Sequence, residues 1–142
     1  MSDEAAITTL VNSYARLLDG GDVDAVVALF EHSTWRSEPE GSIRRGPDEI
    51  RPVYEQLVAH GRTSPSKHLL TNLSIDLQPG SDTARSHCYW TVLLRGHGSG
   101  QIEVSVSGQY IDTFEKVDGD WRFTDRLITV DLTGEPAPEA PR

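Results

Sequence analysis

Apolar residues recur at helical spacing through the first 60 residues of the chain. The clearest run predicts a first helix that begins at Ser2 or Asp3, ends at Asp19 and is stopped by the glycine pair that follows. Its apolar face consists of Ile7, Leu10, Val11, Tyr14, Leu17 and Leu18.

Two shorter helices are predicted after it. Asp22 is placed to cap a second helix whose apolar face is Val23, Val26, Val27 and Phe30. A brief strand around Trp35 and a turn-rich segment, 37–41, lead to a third helix. This helix is expected to begin at Gly46 and Pro47, since proline is favoured in a first helical turn, and to end at Gly61.

The second half of the chain changes its period from that of helices to that of strands. Apolar and polar residues alternate in four segments separated by turn residues, namely 67–77, 83–95, 101–116 and 120–131. The strongest turn is Asp118-Gly119, because this pair readily takes the positive backbone angles of a tight hairpin. The segments predict an antiparallel meander.

The first of these strands contains a parity conflict, which means that its inward-facing residues cannot all lie on one face if the strand alternates regularly. Strict alternation places His68, Leu70, Asn72 and Ser74 on the face opposite Leu73, Ile75 and Leu77. A bulge near Asn72 would bring His68 to the same face as the later apolar residues.

Three helices followed by a meander predict an α+β fold in which the helices cover one face of a curved, antiparallel sheet. A sheet wrapped around the first helix would leave a pocket at its open end. Residues 1–132 are expected to form one domain. Residues 133–142, with three prolines and no apolar period, are expected to form a flexible tail.

The net charge of the chain limits which kinds of molecule it is expected to bind. Its 22 acidic and 13 basic residues give a net charge of -9, which argues against nucleic acid or an anionic membrane and favours a small, weakly charged ligand. One cysteine, Cys88, excludes an internal disulfide, and the start of the chain lacks the features of a signal peptide. We expect a cytoplasmic protein, with Cys88 an inert core residue.

Three polar residues stand out against this apolar framework: Asp19 at the end of the first helix, His68 at the start of a strand and Arg126 in the last strand. A carboxylate bonded to one imidazole nitrogen fixes the tautomer and leaves the other nitrogen as a general base, and a cation can stabilise a developing anion. The alternatives are a helix-end turn for Asp19, a strand-end histidine for His68 and a structural salt bridge for Arg126. The histidines lack metal-ligand spacing and no phosphate-binding glycine loop precedes a helix, so neither metal nor cofactor is predicted.

The order of elements and a set of short motifs resemble the SnoaL-like branch of the nuclear transport factor 2-like superfamily. The motifs are Tyr14-x4-Asp19-x-Gly21-Asp22-x-Asp24, Phe30, Gly46-Pro47, His68-x3-Asn72, Gly108-x-Tyr110-x-Asp112 and Gly119-Asp120-Trp121-Arg122-Phe123-x2-Arg126. This resemblance implies a cone-shaped barrel, in which three N-terminal helices pack on a curved, mixed and mostly antiparallel sheet around a deep apolar pocket. It also implies an oligomer of two or three chains, and a range of functions that includes cyclases, dehydratases, isomerases and non-catalytic binders.

Within that branch the chain is most similar to scytalone dehydratases and hexachlorocyclohexane dehydrochlorinases. The resemblance implies that Asp19 supports His68 as the base and that Arg126 assists, with Tyr14 supplying a phenol. The second histidine of the dehydratases has no clear counterpart in His87 or His97.

Ketosteroid isomerases offer a second resemblance. They match Tyr14 to an oxyanion-binding tyrosine, Glu38 to the carboxylate base and Asp112 to a protonated acid that an apolar site keeps neutral.

The sequence therefore predicts a cofactor-independent lyase, of dehydratase or cyclase type, that removes a proton from a small apolar or polycyclic substrate. The alternatives are an isomerase and a non-catalytic ligand-binding or dimerisation module. The catalytic residues of the predicted lyase would be Asp19, His68, Arg126 and Tyr14. The long alternating sheet predicts a homodimer. The expected substrate-binding residues in the pocket wall are Trp35, Tyr54, Trp90, Tyr110 and Asp112.

Overall fold

A computed structural model describes residues 1–60, 65–96 and 100–134. It contains three helices and six strands in these ranges, in the order α1 (Asp3–Asp19), α2 (Val23–Ala28), β1 (Thr34–Glu38), β2 (Ser42–Arg45), α3 (Gly46–Ala59), β3 (Ser66–Asp76), β4 (Thr83–Arg95), β5 (Ile102–Val117) and β6 (Asp120–Thr133).

The helix boundaries follow from local capping, as the sequence predicts. The Ser2 hydroxyl accepts from the backbone N–H of Ala5 at 3.1 Å, and the Asp22 carboxylate accepts from the N–H of Ala25 at 3.1 Å. Each bond satisfies a donor that lacks a partner within the first helical turn. The predicted stop of the third helix, Gly61, lies outside the described residues.

The six strands form one open, mixed sheet in the order β2-β1-β6-β5-β4-β3, with β1 and β6 parallel and every other pair antiparallel. Asp118 and Gly119 have positive φ values of 53° and 87°, which confirms the predicted tight hairpin between β5 and β6. The sequence missed β2, because four residues are too few to establish an alternating pattern. Thr133 belongs to β6, and residues 135–142 of the predicted tail lie outside the described part of the chain.

A bulge in β3 resolves the parity conflict. The pairing of β3 with β4 shifts between Thr71 and Ser74, and Asn72 has a left-handed φ of 57°. His68 and Leu70 before the bulge therefore share the inner face with the apolar residues after it.

A second bulge changes the parity of β6. Thr113 pairs with Asp125 but Phe114 pairs with Phe123, so Thr124 is the extra residue. Its hydroxyl bonds that of Thr113 at 2.9 Å. Thr124 thus does not share the inner face with Arg126, contrary to strict alternation.

The helices cover the inner face of the sheet unevenly. Within the described residues, α1 lies close to β3 and β6, α3 lies close to β1 and β2, and no helix backbone lies close to β4 or β5. Large side chains fill the intervening space and form the core, including Tyr14, Phe30, Trp90, Tyr110 and Phe123. The inner face becomes less buried toward the end of β4, at Leu94, and the start of β5, at Val106. The sheet and helices therefore form a cup whose open end lies near the start of β3.

No helix in the described ranges is long and apolar enough to cross a membrane.

Candidate functional site

Asp19 and His68 form a hydrogen-bonded pair where the end of α1 meets the start of β3. The Oδ1 atom of Asp19 lies 2.6 Å from Nδ1 of His68, within the range expected for the predicted dyad. The side chains of His68 and Asp19 are 8% and 16% exposed. The pair is therefore largely withdrawn from solvent, and the prediction that these two residues meet is confirmed by the geometry.

Further bonds hold the Asp19 carboxylate in place. It accepts the backbone N–H of His68, at 2.9 Å to Oδ2, and the hydroxyl of Ser66, at 2.8 Å to Oδ1. The sequence interpretation missed Ser66, although its position two residues before His68 places it on the same strand face. Because its donors are fixed, the carboxylate is held rigidly enough to set the orientation of the imidazole.

The second imidazole nitrogen is the reactive feature of this pair. Among the described residues, Nε2 of His68 has no hydrogen-bond partner. A carboxylate at Nδ1 favours the tautomer with hydrogen on Nδ1, which leaves a lone pair on Nε2. The arrangement can accept a proton from a bound molecule.

A second charged pair, Arg126 with Asp112, lies deeper in the cup. Nε and Nη2 of Arg126 donate to the two carboxylate oxygens of Asp112 at 2.7 and 2.9 Å, and both residues are fully buried. The two parallel bonds favour the ionised pair. The salt-bridge interpretation of Arg126 is therefore the one that the geometry matches.

The two charges act on each other. Burial raises the pKa of the Asp112 carboxyl, and the adjacent Arg126 guanidinium opposes that rise. Burial alone would lower the pKa of Arg126, but the Asp112 carboxylate outweighs it and holds that pKa above its usual range. The guanidinium stays charged because its counter-ion is in direct contact.

Aromatic rings enclose the guanidinium on its remaining sides. Its carbon lies 4.2 Å from the ring centre of Tyr14 and 4.0 Å from that of Tyr110. Phe30 and Phe123 are also within cation–π distance. Nη1 of Arg126 has no hydrogen-bond partner among the residues that the structure describes, and these ring faces partly compensate for that loss.

The predicted phenol Tyr14 belongs to this inner cluster. Its hydroxyl lies 2.9 Å from that of Tyr54, which in turn accepts from Nε1 of Trp35 at 3.0 Å. Burial raises the pKa of Tyr54 and of Tyr110 well above that of free tyrosine. These phenols are neutral at physiological pH and serve as packing and hydrogen-bonding groups.

The two pairs lie at opposite ends of the inner face. His68 is opposite Val92 on β4, whereas Asp112, the partner of Arg126, is opposite Ser86 on the same strand. Six residues of extended strand span roughly 20 Å. The structure therefore brings Asp19 to His68 and brings Arg126 to Tyr14 and Asp112, but it does not unite the predicted trio.

The remaining candidate residues lie either in the wall of the cup or at the protein surface. Trp90 and Tyr110 stack with ring centres 5.5 Å apart on the inner face, as expected for the pocket wall. Glu38 lies exposed at the end of β1, whereas the side chains of Tyr14 and Asp112 are hydrogen-bonded to Tyr54 and Arg126.

Neither histidine considered as a counterpart of the second dehydratase histidine can be assigned to the dyad. His87 is on the outer face, bonded to Gln109 at 2.6 Å, and His97 lies outside the described residues. Burial raises the pKa of Cys88 to about 11, consistent with an inert thiol.

Two surface cavities lie away from the dyad. One of about 320 Å³ lies between α3 and the β1–β2 hairpin, and one of about 460 Å³ lies by the β3–β4 turn; neither is lined by Asp19 or His68. Within the described ranges, no group of three metal-ligating side chains could hold a metal ion.

Comparisons with known proteins agree with this architecture. A Nostoc punctiforme protein of unknown function with a cystatin-like fold is 25% identical, with a TM-score of 0.76, and 91% of each chain is covered. A Mycobacterium tuberculosis protein of unknown function is also 25% identical, with a TM-score of 0.75, over 91% of this chain and 72% of that one.

A third structure carries an enzyme name. A Novosphingobium aromaticivorans protein provisionally named a scytalone dehydratase is 24% identical, with a TM-score of 0.74, over 97% of this chain and 90% of that one. No curated protein matches the chain. The model of the SnoaL-like domain matches residues 1–127, and the chain therefore belongs to the SnoaL-like family.

Proposed function

We propose that this protein is a cofactor-independent enzyme that removes a proton from a small apolar or polycyclic substrate, with His68 as the general base and Asp19 as the residue that orients it. Dehydration and cyclisation are the reactions that this chemistry fits best. The observation that carries the proposal is the 2.6 Å bond between Asp19 and Nδ1 of His68, combined with an Nε2 that has no partner among the described residues.

The proton balance of such a step is simple. Nε2 takes a proton from a carbon next to a carbonyl or a leaving group, and the imidazolium formed is stabilised by the Asp19 carboxylate. In a dehydration, the C–H electron pair becomes the new double bond, the C–O bond breaks, and the departing oxygen takes the proton back from Nε2 as water. The resting state of His68 is restored without any other reactant.

The neighbouring structure named for scytalone dehydratase supports dehydration as the first reaction to test. The geometry suits the isomerase alternative less well. That mechanism needs a neutral acid at Asp112, but this carboxylate accepts two bonds from Arg126 and has no proton to donate. It also needs a base at Glu38, which lies exposed at a strand end.

We assign Arg126 and Tyr14 to positioning, in place of the direct catalytic role predicted from the sequence. The guanidinium is fully buried and its charge is matched by Asp112. Its contacts with Tyr14 and Tyr110 fix the inner wall of the cup.

The test is turnover of hydroxyketones, halocarbons, epoxides and enones by the purified protein and its variants. Asp19→Asn is expected to reduce turnover by about 10²-fold or more, the usual scale of acid–base catalysis, and His68→Ala at least as much. Asp24→Asn is the matched control, because it removes an exposed carboxylate from the adjacent helix and should leave turnover unchanged. Absence of turnover across the panel, with ligand binding retained, would favour a binding module instead.

We also propose that two copies associate through the outer face of the sheet. Tyr89 and Leu69 lie on this face and are 45% and 43% exposed. Apolar side chains gathered on one sheet face are typical of an interface. Sedimentation should give about twice 15.7 kDa, and Tyr89→Arg should shift the mass toward the monomer. A wild-type monomer at all concentrations would refute the dimer.

A further inference from the structure

The cavity between α3 and the β1–β2 hairpin contains a cation without a counter-ion. Arg44 of β2 lines this cavity of about 320 Å³ and is half-buried. Its Nη1 atom donates to the backbone carbonyl of Glu49 at 2.9 Å, which anchors the guanidinium on the start of α3. None of the carboxylates in the described part of the chain forms an ion pair with it.

The edge of this guanidinium formed by Nε and Nη2 is unused. Nε is enclosed and has no hydrogen-bond partner among the described residues. Nη2 also has no partner there, but it is not enclosed, so a ligand oxygen in the cavity can reach it. In the buried pair of Arg126 with Asp112, the same edge binds both oxygens of a carboxylate. A carboxylate that meets Nη2 of Arg44 would likewise supply an acceptor for the neighbouring Nε.

A carboxylate lies at the rim of the same cavity. Glu40, in the turn between β1 and β2, is exposed, and its Oε2 atom accepts from the hydroxyls of Ser37 and Ser42 at 3.5 and 3.4 Å. These bonds are long, so the charge of Glu40 is only weakly compensated. Ser42 and Arg44 are two residues apart on β2, which separates their Cα atoms by roughly 7 Å. The cavity therefore presents two opposite charges that are near each other but not paired.

The helix side of the cavity is apolar. Pro52, Val53 and Leu57 of α3 line it, and the last two are four residues apart, so they lie on one face of the helix. A small hydrocarbon group can be removed from water against this face. The volume is at the lower end of the range of roughly 300–1,000 Å³ that is typical of small-molecule sites, which suits a compact ligand.

We propose that this cavity binds a free apolar α-amino acid. The carboxylate of the ligand pairs with Arg44, its ammonium pairs with Glu40, and its side chain packs on Val53 and Leu57. Charge-assisted bonds of about 2.8 Å at each end allow the two adjacent charges of the ligand to span the gap between the protein groups. A simple carboxylic acid would place its charge near an unpaired Glu40, and a simple amine would leave Arg44 unpaired.

The test compares three probes that share one branched carbon skeleton. L-Leucine carries both charges, 4-methylpentanoate lacks the amino group, and 3-methylbutylamine lacks the carboxylate. Binding to the full-length protein is measured by calorimetry. Leucine should bind about threefold or more tighter than 4-methylpentanoate, because the ammonium adds an exposed ion pair. The amine should bind about tenfold or more weaker than leucine, because it loses the bonds to Arg44.

Two pairs of variants separate the two charges. Arg44→Gln should weaken leucine binding by about tenfold, whereas Arg45→Gln, on the opposite face of the same strand, should change it by less than about twofold. Glu40→Gln should weaken leucine binding by about threefold and should strengthen binding of 4-methylpentanoate. Glu38→Gln is its control, because this exposed carboxylate does not line the cavity.

A spectrum of the ¹⁵N-labelled wild-type protein gives a readout that does not depend on the folding of a variant. Leucine should move the Nε–H signal of Arg44 downfield and leave that of Arg126 in place, whereas 3-methylbutylamine should move neither. An unmoved Arg44 signal at saturating leucine would overturn the proposal. No binding of leucine to the wild-type protein at millimolar concentration, equal binding of leucine and 4-methylpentanoate, or equal losses in Arg44→Gln and Arg45→Gln would also overturn it.

The outcome is independent of the proposed function, because neither Asp19 nor His68 lines this cavity. Asp19→Asn should therefore bind leucine as tightly as the wild-type protein does. A loss of leucine binding in Asp19→Asn equal to that in Arg44→Gln would place the ligand elsewhere and overturn the assignment.

Discussion

The inner face of the sheet contains two charged pairs. They differ in whether a hydrogen-bonding nitrogen remains available to a ligand. At the closed end, Arg126 and Asp112 satisfy each other through two bonds and are fully buried. At the open end, Asp19 engages one nitrogen of His68, and the other nitrogen has no partner in the described part of the chain. A saturated pair stabilises the fold, whereas an unsaturated pair at a partly open surface retains a group for chemistry.

The largest expected effect is at the closed end. Arg126→Met leaves the Asp112 carboxylate buried and unpaired, so the free energy of unfolding should fall by about 3–5 kcal/mol. Urea denaturation followed by circular dichroism measures this change.

Two further variants complete that comparison. Combining Arg126→Met with Asp112→Leu removes both charges and should recover much of the lost stability. In Asp19→Asn the new amide oxygen can still accept hydrogen bonds, and the pair is not fully buried. The free energy of unfolding should therefore fall by less than about 1.5 kcal/mol. A loss below about 1 kcal/mol in Arg126→Met would contradict the structural role of the closed end.

A smaller effect is expected at the bulge that separates the two halves of β3. Asn72 adopts a left-handed conformation that a β-branched residue strongly disfavours, so Asn72→Val should lower the free energy of unfolding by about 1–2 kcal/mol. Asn72→Gly is the control and should be neutral within about 0.5 kcal/mol. Equal stability of the valine and glycine variants would contradict the requirement for a left-handed conformation at position 72, on which the bulge depends.

The smallest effect is expected from removing the Ser66 hydroxyl, which holds the Asp19 carboxylate of the dyad in place. Ser66→Ala removes one donor to Asp19, but the backbone N–H of His68 still holds the carboxylate. Once a substrate is known, turnover should fall by about threefold to tenfold, with stability reduced by about 1 kcal/mol. A loss as large as that of Asp19→Asn would mean that Ser66 itself acts on the substrate.

The open end of the cup was more predictable from sequence than the closed end. The helical period places Asp19 at the end of α1, and the parity conflict at His68 points to a bulge near Asn72, which the structure contains. These are local features, since each depends on residues that are close together in the chain.

The closed end depends on strand register, which local pattern does not determine. In the β5–β6 hairpin, Val117 pairs with Asp120, and unbroken pairing would set Asp112 opposite Asp125. The extra residue in β6 moves Arg126 into that position and creates the buried pair. The sequence offered both residues as candidates, but their mutual neutralisation follows from a bulge that no short motif signals.

The state of the His68 ring tests the central claim most directly and needs no substrate. In a long-range ¹H–¹⁵N spectrum at pH 8, His68 should carry its proton on Nδ1, bonded to Asp19, and a free lone pair on Nε2, while Asp19→Asn should lose this strong preference. A proton on Nε2 in the wild-type protein at pH 8 would contradict the claim that Asp19 sets His68 as a base.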